Sequence, residues 1–108
     1  MISPTNDQLL ARLRADDHSA MQLIFKQHYT DACRVIYKYV KDQNTAKDIA
    51  QEVFIKFWQK RNSINIQSSM KAYLRRMSVN EAISYLRRQK YFDEISTIED
   101  QELSLIHI

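Results

Sequence analysis

The sequence predicts an all-α fold, a compact bundle of three long helices preceded by a short N-terminal one, and three observations carry that expectation. Glycine is absent from all 108 residues, the single proline is Pro4, and apolar residues recur at steps of three and four along most of the chain. A chain without glycine or internal proline lacks the residues that build hairpin turns and bulges in sheet proteins. This length suits one domain, and a helical one can bury a modest core without metals or disulfides.

The first helix is expected over about residues 5–14, with Ser3 as cap, Pro4 in the first turn, and Leu9, Leu10 and Leu13 on its apolar side. Asp16 and Asp17 punctuate the chain and begin the next element. The second helix is the long spine, about 18–40, with Met21, Ile24, Phe25, Tyr29, Ala32, Val35, Ile36 and Tyr39 in helical register. A polar connection from Asp42 to Thr45 leads to the third helix, about 45–61. There Ala46, Ile49, Ala50, Val53, Phe54, Phe57 and Trp58 fit the i, i+3, i+4, i+7 template at every step. Its opposite face, with Lys47, Asp48, Gln51, Glu52, Lys56 and Lys60, is polar.

The stretch from Asn62 to Ser69 breaks the period. It is polar apart from Ile64 and Ile66 and ends in the capping candidates Ser68 and Ser69, so an ordered loop is expected there. The fourth helix is expected over about 69–91, with Met70, Leu74, Met77, Ala82 and Leu86 as core contacts on a drifting stripe. From Phe92 onward the chain is acidic and loses the long period, which predicts a tail or linker over 92–108 after a folded unit of 1–91.

The composition also excludes functions. Without glycine there is neither a dinucleotide fingerprint nor a P-loop, because both need backbone to approach a phosphate unhindered by a Cβ. Cys33 is the lone cysteine, which rules out a disulfide framework and a thiolate zinc site and points to a reducing cytoplasm. It reads as a small residue in or near the core, with no base beside it to make a nucleophile. No apolar run approaches the roughly 20 residues needed to span a bilayer, and no signal-peptide pattern is seen at the N-terminus. A soluble, cytoplasmic protein without membrane insertion is expected.

The net charge of +3 hides a sharp partition. Residues 1–52 balance seven bases against seven acids. Residues 53–92 set nine cations against Glu81 alone, and residues 93–108 carry five acids and no base. A concentrated basic block is what counterion release from a polyphosphate partner rewards, although a solvated face is the plainer reading. On the fourth helix, Tyr73, Arg76, Asn80, Ile83, Arg87 and Lys90 align along one side. Cations pair with phosphates, an amide can read base edges, and an aromatic can stack on an unpaired base. Snorkelling arginines on a solvated helix remain the alternative. Asp48 and Glu52, spaced i, i+4, could hold a metal or act as an acid and base, but His18, His28 and His107 are not positioned to complete such a site. A surface for a protein partner suits the pair better, and neither a metal nor any cofactor is expected.

The residues themselves then match a family. Asp48-Ile49-Ala50-Gln51-Glu52-Val53-Phe54-Ile55-Lys56-Phe57-Trp58 closely resembles the D-x-x-Q-E-V-F-hydrophobic-basic-hydrophobic-W segment of region 2.2 in sigma-70 family proteins. Ala72 through Arg88, with Tyr73, Leu74, Asn80, Ala82, Leu86, Arg87 and Arg88 at matching places, looks like the stretch spanning regions 2.3 and 2.4. Ala20 through Tyr39 is similar to region 2.1. The resemblance covers residues 16–90 and is to sigma factors of the extracytoplasmic-function type. Ser84 stands where the family commonly has aspartate, and Ser78 where it commonly has alanine.

The resemblance implies a non-enzymatic transcription-initiation domain. Its polar third-helix face, Asp48, Gln51, Glu52 and Lys56, would dock on the clamp helices of the largest subunit of RNA polymerase core. Single-stranded promoter DNA of the minus-10 element would be held by Lys60, Arg61, Asn62, Ser63, Ile64, Asn65, Ser68 and Ser69 in and before the loop, which would take up a flipped base. Lys71, Tyr73, Arg75, Arg76, Asn80, Arg87 and Arg88 would contact it from the fourth helix. The family's minus-35-reading region 4 is missing from this sequence, so 92–108 would be the linker toward it, and the resemblance leaves room for an anti-sigma factor as a further partner. Two rival classes are a generic basic helical binder of nucleic acid, which explains the charge but not the third-helix motif, and a protein-interaction bundle, which leaves the fourth-helix cations as solubilisers.

Overall fold

The structure, a computed structural model, describes residues 5–66 and 69–106. It contains four helices among them, α1 (Asn6–Arg14), α2 (His18–Val40), α3 (Gln43–Gln59) and α4 (Met70–Ile106), and no strand. The spine α2 packs against α1, α3 and α4, and α3 also packs on α4.

Each start is capped in the way the sequence chemistry allows. Thr5, rather than Ser3, caps α1. The Gln8 N–H donates to Thr5 Oγ1 at 3.2 Å and the Thr5 N–H to Gln8 Oε1 at 2.9 Å, a reciprocal box that satisfies two otherwise orphaned donors. Ser3 and Pro4 lie outside the described residues. Asp17 caps α2 by accepting the Ser19 N–H at 2.9 Å and the Ser19 hydroxyl at 2.6 Å. Those bonds and Arg12 hold its carboxyl far below the usual carboxylate range. Asp42 caps α3 through the Thr45 N–H and hydroxyl, which lower its pKa. This cap starts α3 at Gln43, two residues before the expected position, and the helix closes at Gln59. With no glycine available, the turns after α1 and α2 place Asp16 and Lys41 at φ 62°. A left-handed conformation of this kind costs an ordinary residue about 1–2 kcal/mol.

The core is the expected α3 stripe set against α2 and α4. Ala46, Ile49, Ala50, Val53, Phe54 and Phe57 are all buried, facing Ala20, Ile24, Ala32 and Ile36 of α2 and Met70, Leu74 and Ala82 of α4. Burying a side chain such as Phe57 or Ile36 contributes roughly 1.5–3 kcal/mol. Trp58 and Cys33 pack at the core's edge. Phe25 and Tyr39 of the expected α2 stripe are exposed, with Phe25 stacked on Tyr29 at 4.6 Å and edge-on to Phe54 at 5.1 Å.

Two further corrections concern α4. Leu86, expected in the core, is exposed, whereas Ser78 is fully buried and donates its hydroxyl to the Leu74 carbonyl at 2.8 Å. A hydroxyl satisfied by its own helix adds little bulk, so it suits a close helix crossing. The helix also does not stop near residue 91 but runs on to Ile106, 37 residues in all, or about 55 Å at 1.5 Å per residue. The acidic segment lacks a helix breaker. A helix that leaves the bundle needs no apolar stripe, so the loss of period marks the end of burial and not the end of the helix.

Candidate nucleic-acid interface and docking face

One exposed side of α4 carries Arg76, Asn80, Arg87 and Lys90, while Lys71, also exposed, lies about 140° round the helix from Arg76. Arg76 and Arg87 form no ion pair among the described residues, so their guanidinium groups face water. Tyr73 is half-buried, with its ring edge-on to Phe57 at 6.0 Å between centroids, so only part of the ring is available for stacking. Ile83 is also half-buried.

Several cations counted in the basic block are already engaged. The Arg61 guanidinium pairs with Asp16 at 2.7 Å, donates to the Trp58 carbonyl at 3.0 Å, and lies over the Trp58 ring at 4.1 Å from its centroid. The His18 ring packs near the same indole at 4.8 Å. Arg61 therefore fastens the start of the loop to the turn between α1 and α2. Arg75 reaches Asp31 of α2 at 3.1 Å, and Lys56 reaches Glu81 of α4 at 2.7 Å. Arg88 does not share the face of Arg87. One residue further on, about 100° round the helix, it lines a cleft against α3.

The loop divides in the same way. Ile64 is buried at 3% exposure, which removes its side chain from any DNA surface, and its carbonyl accepts a bond from the Arg14 guanidinium at 2.9 Å. Lys60, Asn62, Ser63 and Asn65 are exposed, with the Ser63 hydroxyl donating to the Lys60 carbonyl. Ser69 caps α4, its Oγ accepting the Ala72 N–H at 3.0 Å. Ser68 lies outside the described residues. The result is an anchored loop whose polar side chains project beside the first turns of α4.

On α3, Asp48, Gln51 and Glu52 are exposed together along one rim of a cleft of about 710 Å³ between α3 and α4. Lys56 is half-buried and tied to Glu81 across it. Sequence reasoning missed Ile55, which is 52% exposed in the same cleft, and Tyr85 on the opposite wall. Ile55 falls between the two faces, but an exposed isoleucine flanked by carboxylates is a usable signal for a partner surface. No set of three His, Cys, Asp or Glu side chains that could hold a metal occurs among the described residues, and no described helix is long and apolar enough to cross a membrane.

Comparison with known proteins places the chain among relatives. The family model for Sigma-70 region 2 matches residues 24–91, the span from α2 into α4. RNA polymerase sigma-H factor of Pseudomonas aeruginosa is 29% identical over 99 residues, covering 90% of this chain and 51% of that protein. The ECF RNA polymerase sigma-E factor of Haemophilus influenzae is 29% identical over 85 residues, covering 79% and 44%. The chain thus spans about half the length of the curated relatives it matches. Among solved structures, an engineered region 2 of sigmaE in complex with GTAAAA superposes with a TM-score of 0.73 at 27% identity, over 82% of this chain and 95% of that one.

Proposed function

Since this chain belongs to the Sigma-70 region 2 family, we propose that it is a non-enzymatic transcription-initiation domain that docks on RNA polymerase core and engages the minus-10 element of promoter DNA. The observation that carries the reading is the presence of two unlike exposed surfaces on one small bundle. The α3 rim offers Asp48, Gln51, Glu52 and Ile55 to a protein, and α4 with its preceding loop offers Arg76, Asn80, Arg87, Asn62 and Asn65 to a strand.

Each surface has a chemistry suited to its partner. Carboxylates and an amide around an exposed isoleucine make a polar rim with an apolar centre, the arrangement found at protein interfaces. The clamp helices of the largest polymerase subunit are the partner proposed for it. Unpaired arginines on a rigid helix attract phosphates without reading sequence, while loop amides and Asn80 can address the edges of exposed bases. Melted DNA lowers the cost of extruding a base, so a loop held in place by Arg61 and Ile64 could receive one already shaped for it. A cytoplasmic location follows from these partners.

The test is capture by core polymerase followed by binding of a labelled minus-10 single strand, with GTAAAA as the first probe. Charge reversal by Glu52→Arg should weaken capture while the circular dichroism spectrum stays unchanged. If capture is unchanged across substitutions of Asp48, Gln51, Glu52 and Ile55, this surface is rejected. Tight strand binding with no polymerase capture would favour a generic nucleic-acid binder.

A further inference from the structure

Residues 1–52 are electrically neutral as a segment, yet two of their cations, Arg34 and Lys38, stand together on α2 next to α4. A groove of about 560 Å³ runs between the two helices, with Val35 and Val79 along it and Arg34, Lys38 and Arg75 at its rims. Tyr39, 41% exposed, also lines it, and Tyr37 beside it is 43% exposed. Among the described residues the only carboxylate lining the groove is Asp31, and it is already paired with Arg75 at 3.1 Å. Arg34 and Lys38 form no ion pair among the described residues.

Resting on the proposed function above, we infer that this groove is a second DNA subsite, which takes an unpaired base of the promoter strand on Tyr39 and its flanking phosphates on Arg34 and Lys38. Arg34 and Lys38 are one helical turn apart, so their Cβ atoms stand about 5–6 Å from each other on the same face. An apolar floor beside an exposed aromatic suits the face of a base, and the flanking cations suit the backbone; this combination is the one that binds single strands without sequence readout. Duplex DNA would keep its bases stacked inward and leave the floor and Tyr39 unused. The groove also adjoins the basic side of α4. Val79 lies about 60° round the helix from Arg76 and 80° from Arg87, so one strand can contact both without leaving the surface.

The test measures binding of the 108-residue chain to labelled single strands by fluorescence anisotropy across a salt series, using a short minus-10 strand of about 6 nucleotides and an extended one of about 14, within the range a single-strand site covers. Arg34→Gln and Lys38→Gln should each lower the salt slope by about 0.7 on the extended strand and leave it unchanged on the short one. Tyr39→Ala should weaken the extended strand by about fivefold or more, and Tyr39→Phe should restore it, because stacking needs the ring and not the hydroxyl. Circular dichroism of each variant controls for folding. If the wild-type chain shows salt-dependent binding but these variants match it on both strands, the groove inference is overturned and the proposed function stands. If the wild-type chain binds neither strand, alone or after capture by core polymerase, the proposed function itself fails. Losses confined to a duplex probe would overturn the assignment of an unpaired base.

Discussion

Replacing Arg76 and Arg87 by glutamine tests whether the exposed cations of α4 are phosphate ligands. Both are exposed and unpaired among the described residues, so their removal breaks no ion pair seen there, and Arg61→Gln supplies the contrast because that side chain is bonded on three sides. Each lost phosphate contact on a single strand should reduce the slope of log affinity against log salt by about 0.7. Between 50 and 200 mM salt that is a change of about 2.6-fold in the affinity lost per contact, and about sevenfold for the double variant. The readout is anisotropy of a minus-10 strand bound to holoenzyme, repeated on a panel of sequence variants. All sequences should weaken about equally with Arg76→Gln and Arg87→Gln, whereas substitutions at Asn62, Asn65 or Asn80 should reorder the panel. An unchanged slope in the double variant would mean that these arginines face only water. A reordered panel in that variant, with uniform weakening from the loop changes, would reverse the roles assigned to helix and loop.

Three further outcomes follow from the packing and the caps. Ile64→Ala should destabilise the bundle by about 2–5 kcal/mol, the usual range for truncating a buried aliphatic side chain, seen as a lower urea midpoint. Lys41→Gly should raise stability by about 0.5–1 kcal/mol, because relief of the left-handed backbone exceeds the added chain entropy, and an unchanged or lower thermal midpoint would contradict that. Asp17 and Asp42 have folded pKa values below the unfolded 3.8, so the stability they supply is complete well above that value and is lost as pH falls below it toward their folded values. An Asp17→Asn, Asp42→Asn double variant should therefore lose less stability than wild type between pH 6 and pH 3, and equal losses would refute the linkage.

Much of the helical core is legible in the amino-acid pattern, for identifiable reasons. The α3 stripe can be read because each of its apolar positions is buried or packed at the core's edge, so periodicity and burial coincide. On α4 they do not: Ser78 is buried because its own helix satisfies its hydroxyl, and Leu86 is exposed on the stretch where α4 passes the end of α2. The candidate interface is legible as a charge block but not as a surface. Whether a cation is available depends on carboxylates distant in sequence. Asp16 holds Arg61 across 45 residues and Asp31 holds Arg75 across 44, and no local pattern announces either pair. The neutral sum over residues 1–52 misleads in the opposite direction, because of the acids in that count only Asp31 is seen lining the groove with Arg34 and Lys38, and it is tied to Arg75.

The unbroken α4 has a mechanical consequence. Arg76, Asn80 and Arg87 share one rod with Tyr91 and Phe92, whose rings touch edge-on at 6.1 Å and stand about 60% exposed where the rod passes beyond the bundle. Because Met70, Leu74, Ser78 and Ala82 of the same helix are buried in the bundle, a partner that gripped the protruding end would be held at a fixed distance and angle from the arginines, with the helix as a ruler between the two contacts.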